Sequence, residues 1–526
     1  MAPKVLISDD LSPAAVAIFK ERGLEVDMKT GLSKEELEKI IPAYDGLAIR
    51  SATKVTEKII AAAAKLKVVG RAGIGVDNVD IKAATKKGII VMNTPFGNST
   101  TTAEHAITLM LSLARQIPAA DRSTQSGKWE KNRFMGVEVA GKTLGLIGCG
   151  NIGAIVADRA QGLKMKVVAF DPFLSPERAK VLNVEKVELE DLLRRADFIT
   201  LHTPLTEKTR NIIDGAALSK MKRGVRIVNC ARGGLVDEAA LSEALKSGQV
   251  AGAALDVFEE EPAKTNVLFG NEAVICTPHL GASTLEAQEK VALQVAEQMS
   301  DYLLNGAITN AVNFPSITAE EAPRLTPWVK LAESLGSFAG QLTEIVVRGI
   351  RLEYGGDIAG LNTKPMTAAA LAGLLRPVLA DVNMVSAAVV AKERGIVIEE
   401  VTGAEAGAFE SIMRLTVKTD AYERSIAGTI FAGGRGRIIE VRGISMDFEL
   451  TPHMLFIRNA DKPGFIGQLG MLLGDAGVNI ATFNLGREKP GGDAICVVSM
   501  DEPLRYEILA KVKGLQHVVR ARRLEF

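Results

Sequence analysis

The sequence is poor in cysteine, histidine and aromatic residues, and it carries no surplus of charge. Four cysteines stand among 526 residues (Cys149, Cys230, Cys276 and Cys496), and no two have the spacing of a metal site or a redox motif. A disulfide-stapled secreted scaffold is thereby excluded, no metal site is expected, and free buried thiols in a reducing compartment are. Lys plus Arg and Asp plus Glu number 63 each. Global attraction to nucleic acid or to an anionic membrane is excluded, so any anion must be held by a local cluster. No apolar run is long enough to span a bilayer, and no cleavable signal precedes the strand-like segment Val5-Leu6-Ile7-Ser8-Asp9. The expectation is a cytoplasmic protein.

The length exceeds what one core supports and implies about three or four domains. Short Val/Ile/Leu-rich runs alternate with helical patterns through the first 300 or so residues. Strands are expected at Lys4–Ile7, Leu47–Ile49, Val68–Arg71, Ile89–Asn93, Thr143–Ile147, Lys166–Phe170, Phe198–Leu201, Arg226–Asn229, Gly252–Leu255 and Ala273–Cys276. These are more strands than one dinucleotide domain uses, and two α/β domains explain them. Beyond a cluster of Pro315, Pro323 and Pro327 the chain becomes Ala-, Gly- and Val-rich. There the pattern predicts a helix over Trp328–Gly340, a strand over Thr343–Tyr354, helices over Met366–Leu379 and Ala380–Arg394, and strands over Ser411–Thr419 and Arg424–Phe431. The last 75 or so residues read strand, helix, strand, strand, helix, strand, the order of a ferredoxin-like domain.

Strand Thr143–Ile147 runs into Gly148-Cys149-Gly150-Asn151-Ile152-Gly153 and then a helical pattern. In a dinucleotide fingerprint Gly148 makes the tight turn, Gly150 admits the pyrophosphate and Gly153 lets helix and strand pack. The helix N-terminus then offers unpaired N–H groups to the phosphates. Asp171 closes the following strand 18 residues after Gly153, placed for the adenosine ribose hydroxyls. Its charge repels a 2′-phosphate and no Arg follows it, so the expected cofactor is NAD and not NADP.

Hydride transfer from a secondary alcohol needs a base for the hydroxyl proton and a group to hold the neighbouring carboxylate. Among the five histidines, His105 lies in a helical pattern and reads as packing, His202 follows a strand without an evident acidic partner, and His453 and His517 lie far from the fingerprint. His279 sits in a small-residue loop directly after a strand, where ligands of open α/β sheets bind. Arg232 follows another strand, suited to a two-pronged grip on a carboxylate. The acidic run Glu259-Glu260-Glu261 follows a third and offers a partner that fixes the imidazole tautomer and raises its pKa.

The stretches Asn229-Cys230-Ala231-Arg232-Gly233-Gly234-Leu235-Val236-Asp237-Glu238, Val257-Phe258-Glu259-Glu260-Glu261-Pro262 and Pro278-His279-Leu280-Gly281-Ala282-Ser283-Thr284 resemble the D-isomer-specific 2-hydroxyacid dehydrogenase family. The resemblance covers essentially the whole chain and is to long members that carry an intervening domain and a C-terminal ACT domain. It implies that Arg232 holds the substrate carboxylate and carbonyl, that Glu261 partners the imidazole, and that His279 is the acid/base. It also implies cofactor contacts at Asn151, Ile152, Asp171, Thr203, Cys230, Asp256 and Ala282. The implied reaction is NAD-dependent oxidation of 3-phospho-D-glycerate to 3-phosphohydroxypyruvate, the first step of L-serine synthesis. Other D-2-hydroxyacid dehydrogenases of the glyoxylate/hydroxypyruvate reductase type, and non-enzymatic NAD-sensing co-repressors, share the design.

The substrate's phosphate and carboxylate are expected on the region before the fingerprint. Arg50 ends one strand and Arg71 another, and N–H groups around Gly73 and Gly75 can cradle a carboxylate. The resemblance places that loop at the carboxylate and Arg50, Arg71 and Asn98 near the phosphate. Lys131 and Arg133 are weaker candidates. In the terminal segment Asp461 and Asn479 match positions that bind L-serine across a dimer interface in regulated relatives, Asn459 stands where some of those relatives use other polar groups, and Arg435, Arg437 and Arg442 form a basic stretch before it. The expected division is a discontinuous substrate-binding domain (1–97 and 283–312), an NAD-binding Rossmann domain (98–282), an intervening domain (313–450) and an ACT domain (451–526). The fold class is α/β, with two Rossmann-like doubly wound domains, an α+β intervening domain and a ferredoxin-like ACT domain. A homo-oligomer, by expectation a tetramer, completes the picture.

Overall fold

The computed structural model describes residues 2–379, 382–431 and 433–526. Lys4–Ile7 (β1), Glu25–Met28 (β2), Gly46–Ile49 (β3), Val68–Arg71 (β4) and Ile90–Met92 (β5) form a parallel sheet in the order β2-β1-β3-β4-β5. Because successive side chains point to opposite faces, Val5 and Ile7 pack with Phe19, Val295 and Met299, while Leu6 and Leu47 pack with Ile59 and Ile60. Both faces are therefore buried, as parallel sheets require.

Thr143–Ile147 (β6), Lys166–Phe170 (β7), Glu185–Lys186 (β8), Phe198–Leu201 (β9), Val225–Asn229 (β10), Val250–Leu255 (β11) and Val274–Cys276 (β12) form a second parallel sheet, ordered β12-β11-β10-β9-β6-β7-β8. The strand order reverses between β6 and β9, which opens a crevice beyond the strand ends where ligands bind in such folds. Two crossover helices join the sheets. Ser99–Ala114 leads into the second, and Leu285–Asn305, capped by the Thr284 hydroxyl, returns to the first. The return is closed by the Val312 N–H on the Val91 carbonyl at 2.8 Å.

Val347–Gly356 (β13), Val397–Ala404 (β14), Ser411–Thr419 (β15), Glu423–Phe431 (β16), Arg435–Val441 (β17) and Ile444–Phe448 (β18) build a mixed sheet in which only β13 and β14 run parallel. Helices Ala322–Leu342 and Lys364–Leu375 pack closely beside it, and every residue of the second from Pro365 to Leu375 is buried. That helix is apolar all round because protein surrounds it. It ends before Pro377, which cannot continue a helix. The next helix is shorter than the expected Ala380–Arg394. Asn383 takes the N–H groups of Val385 and Ser386 on its side-chain oxygen, and the helix spans Ala387–Glu393. Ala380 and Asp381 lie outside the described residues.

His453–Ala460 (β19), Ile480–Arg487 (β20), Asp493–Met500 (β21) and Val518–Glu525 (β22) form an antiparallel sheet, β20-β21-β19-β22, with helices Phe465–Asp475 and Tyr506–Lys513. This is the ferredoxin-like order, and the expected fold class holds across the chain. Strands β2, β8, β14, β17 and β18 went unread in the sequence. β2 (EVDM) and β8 (EK) are short and polar, and β14 and β18 sit at sheet edges, β14 largely exposed and β18 alternating buried and exposed.

Candidate active site

Three adjacent strands deliver the chemistry. Beyond β10, β11 and β12 the chain continues into the loops of Arg232, Glu261 and His279. His279 Nδ1 lies 2.6 Å from Glu261 Oε2, and the other carboxylate oxygen accepts the Phe258 N–H at 3.0 Å. A carboxylate accepts only, so Nδ1 carries the proton and Nε2 is left to the cleft. The hydrogen bond to Glu261 is the main reason the imidazole is held above its ordinary range, against burial that opposes it. Burial pushes the Glu261 carboxyl up, but His279 and the Phe258 N–H outweigh it and hold the group below its ordinary value.

His279 has a left-handed backbone, φ 57°, a conformation that costs a non-glycine residue about 1–3 kcal/mol unless its surroundings impose it. Its N–H donates to the carbonyls of Asp256 and Thr277 at 2.9 and 3.0 Å. The Asp256 carboxylate, completely buried, accepts the Thr277 hydroxyl at 2.6 Å and the N–H groups of Leu280 and Gly281 at 2.7 and 2.8 Å. Read from the sequence as a cofactor contact, Asp256 here spends its side chain on the catalytic loop.

Arg232 is presented by an Asn229 turn, whose amide grips Ala231 N and Arg232 O at 3.0 and 2.9 Å. Its Nε donates to Asp77 of the first sheet's loops at 2.8 Å. A Cβ at Gly75 would collide with Arg232 Nη2, so only glycine lets the guanidinium lie on that backbone. Arg71 is half-buried, and its buried Nε has no partner among the described residues. Burial first, then the charges of Arg232 and Arg50, lowers its pKa to about 10. Three guanidiniums thus converge from two sheets, and a buried unpaired donor among them is costly until an anion arrives. Arg50 is held at the end of β3 through its N–H on Asp9 at 2.6 Å and its guanidinium on the Asp10 carbonyl at 3.1 Å. One expectation is corrected. The Gly73 N–H is not free for a carboxylate, because it donates to Thr94 Oγ1 at 2.6 Å. Asn98, at the start of the first crossover helix, keeps its buried Oδ1 without a partner among the described residues. Arg133 pairs with Glu130 and Glu272 at 2.9 and 2.5 Å on the surface.

The fingerprint residues lie at the end of β6. Gly148 has φ 92°, and a Cβ there would meet the His202 carbonyl. Helix Asn151–Gly162 begins without a side-chain cap, and the space over Gly150 is open. Uncapped N–H groups at Asn151 and Ile152 under that space fit a dinucleotide pyrophosphate, with Gly153 packed on the Gly148 carbonyl behind them. Asp171 accepts the Cys149 and Phe173 N–H groups, both at 2.8 Å, and so fixes the loop while standing where ribose hydroxyls would reach it. Thr203, Cys230 and Ala282 follow β9, β10 and β12, the first and last half-buried and Cys230 buried, its thiol pushed up by burial. His202 is turned inward onto Thr200 at 2.9 Å, and burial lowers it to about 4.

In the terminal sheet, Asn459 is buried with Oδ1 unpartnered, Asp461 accepts Gly491 N–H and Arg487 at 2.9 and 3.0 Å, and Asn479 donates to Asp501 at 2.5 Å. Asn459 and Asp461 stand at the end of β19, whereas Asn479 precedes β20. Both strands run antiparallel to β21, so these residues occupy opposite ends of one sheet. Of the basic stretch, Arg437 pairs with Asp447 and Glu449, and Arg435 lies at the outer edge of the same pairing. Arg442 joins Arg424, Arg458 and Arg520, none singled out from sequence, around a cavity of about 40 Å³ between the mixed and terminal sheets.

Three family models match the chain. Residues 107–281 match the D-isomer-specific 2-hydroxyacid dehydrogenase NAD-binding domain, residues 324–442 the D-3-phosphoglycerate dehydrogenase intervening domain, and residues 453–517 the ACT domain. The chain is 45% identical to a D-3-phosphoglycerate dehydrogenase of Synechocystis sp. over 97% of its own length and 92% of that protein. It belongs to the D-isomer-specific 2-hydroxyacid dehydrogenase family. A second family member, from Archaeoglobus fulgidus and named D-3-phosphoglycerate dehydrogenase, is 44% identical over 99% of this chain and 100% of its own. The NAD⁺-bound 3-phosphoglycerate dehydrogenase structure from Entamoeba histolytica superposes with a TM-score of 0.52 at 30% identity, covering 60% of this chain and 99% of that one. NAD is the family's cofactor.

Proposed function

We propose that this chain oxidises 3-phospho-D-glycerate to 3-phosphohydroxypyruvate with NAD, the entry reaction to L-serine. The observation that carries the reading is the 2.6 Å His279–Glu261 pair beside three converging guanidiniums. Bound NAD supplies the hydride acceptor. Neutral His279 accepts the hydroxyl proton on Nε2, and Glu261 stabilises the resulting imidazolium through Nδ1–H. Arg232 holds the C1 carboxylate and the oxygen that becomes the ketone. Arg71 and Arg50 face the phosphate, with the Gly75 loop and Asn98 completing the pocket. In the reverse direction protonated His279 returns the proton, so reduction requires the acid form.

The division into domains 1–97 with 283–312, 98–282, 313–450 and 451–526 is supported by the four separate sheets. We infer also that L-serine binds the terminal domain of a homotetramer, because Asp461 and Asn479 can reach one ligand only from two copies.

The test follows reduction of 3-phosphohydroxypyruvate by loss of NADH absorbance. Arg71→Ala is expected to raise KM for the keto acid about tenfold or more, with the NADH constant unchanged. Equal turnover of D-glycerate and its phosphate would remove the phosphate assignment, and absence of turnover would favour an NAD-sensing protein. L-Serine is checked by calorimetric titration, where no heat rejects the effector site.

A further inference from the structure

We propose that His105 is a positioning residue that grips Asp256 and, through it, sets the placement and charge of the loop carrying His279. His105 Nε2 lies 3.2 Å from Asp256 Oδ1 and 3.3 Å from Thr277 Oγ1. The Thr277 proton is spent on Asp256 at 2.6 Å, so its oxygen only accepts from the imidazole, and Nε2 of His105 must be the N–H. A second histidine–carboxylate pair therefore stands behind the first, sharing one loop. The same helix takes hold again one turn earlier, where the buried Thr102 hydroxyl shares its one proton between the Gly281 carbonyl at 2.9 Å and the Asn98 carbonyl at 3.0 Å. Thr102 and His105 lie three residues apart and share a helix face. That helix is the crossover from the first sheet to the second, so its position is transmitted to the His279 loop at two points.

The charge follows the same path. Asp256 is faced by His105, by Thr277 and the N–H groups of Leu280 and Gly281, and by the Cys230 thiol. His279 is faced by Glu261, Asp256 and Arg232, and the Asp256 charge adds to the upward pressure on its imidazole. A donor taken from Asp256 leaves more of that negative charge uncompensated, and His279 then holds its proton to higher pH.

The inference rests on the dehydrogenase reading, and its first measurement needs neither substrate nor cofactor. Diethyl pyrocarbonate modifies neutral imidazoles, and peptide mass mapping follows His279 alone as pH is varied. His105→Leu should move the His279 midpoint upward. It should lower kcat for reduction about tenfold with KM for NADH unchanged. His105→Gln, which restores an N–H, should return both toward the wild type. Thr277→Val, which removes a donor to the same carboxylate, should move the midpoint in the same direction and decides the matter should His105→Leu fail to fold. A midpoint unmoved in both variants overturns the proposal. So does a loss of kcat and melting temperature that Gln does not rescue and that leaves the midpoint in place. Wild-type protein inactive on the keto acid would refute the functional reading, while the modification midpoints would still test the role of His105.

Discussion

At the scale of single residues, the proposed reaction turns on one hydrogen bond with a predictable pH signature. Glu261 is the main cause of the raised His279 pKa. Glu261→Gln should therefore move the alkaline limb of the reduction profile downward, toward the ordinary imidazole value of 6.5. His279→Gln should lose about 10²–10⁴ in kcat. Stability has its own window. A raised histidine contributes below its unfolded value and loses that share as pH climbs through the folded one. A lowered carboxyl contributes above its unfolded value and loses its share as pH falls through the folded one. The melting-temperature gap between wild type and Glu261→Gln should thus be fullest between the ordinary values of 4.5 and 6.5, and narrow on either side. Arg232, Glu261 and His279 were legible because each follows a strand within a distinctive local stretch. The partnership of His105 with Asp256 was not, since 151 residues separate them and a histidine on an apolar helix reads as packing. The capture of the Gly73 N–H by Thr94 was hidden for the same reason.

At the scale of elements, backbone conformation decides what can be changed. Gly148→Ala places a Cβ against the His202 carbonyl at φ 92°. The left-handed conformation alone costs about 1–2 kcal/mol, and relief of the collision must shift the fingerprint turn. Loss of the stabilisation that NADH normally gives in a thermal melt should exceed any loss in the unliganded protein. The β17–β18 hairpin allows the opposite change. Its two-residue turn, Arg442-Gly443, has φ 55° and 79°, a geometry that favours Asn-Gly. Arg442 also sits among three other guanidiniums. Arg442→Asn should raise the melting temperature by about 2 °C, more at low ionic strength, where like charges are least screened. Strands buried on both faces, such as β6 and β9, were read correctly from their apolar runs, and so was the edge strand β12 from its Val-Ile-Cys run before a Pro. Those missed lean on neighbours for their burial or lie at edges, where polar residues satisfy a strand as well as a loop.

At the scale of the whole molecule, the mixed and terminal sheets pack together and their apolar cluster continues beneath the first sheet. Phe338 of helix Ala322–Leu342 packs on Phe456 and Phe526, and Gln341 exchanges hydrogen bonds with Glu525 at 2.7 and 3.0 Å. The same apolar cluster continues through Leu325, Ile317 and Phe314 to Met299 and Val5 beneath the first sheet. Asn383 adds a bond to the Lys86 carbonyl at 3.1 Å, at the end of helix Ile81–Lys87. Every proposed catalytic and cofactor residue nevertheless lies before residue 313, and the Entamoeba histolytica structure, nearly all of it matched, aligns with only 60% of this chain. A chain ending at Asn313 should therefore fold, bind NADH and reduce 3-phosphohydroxypyruvate with kcat within about threefold of the full chain. It should melt earlier, since Ile308 loses its backbone pairing with Ile317 and Lys86 the bond from Asn383, and it should lose any response to L-serine. Circular dichroism with the NADH assay separates the outcomes. A folded but inactive truncation would mean that the C-terminal half holds the first sheet, and with it Arg50 and Arg71, in the catalytic position.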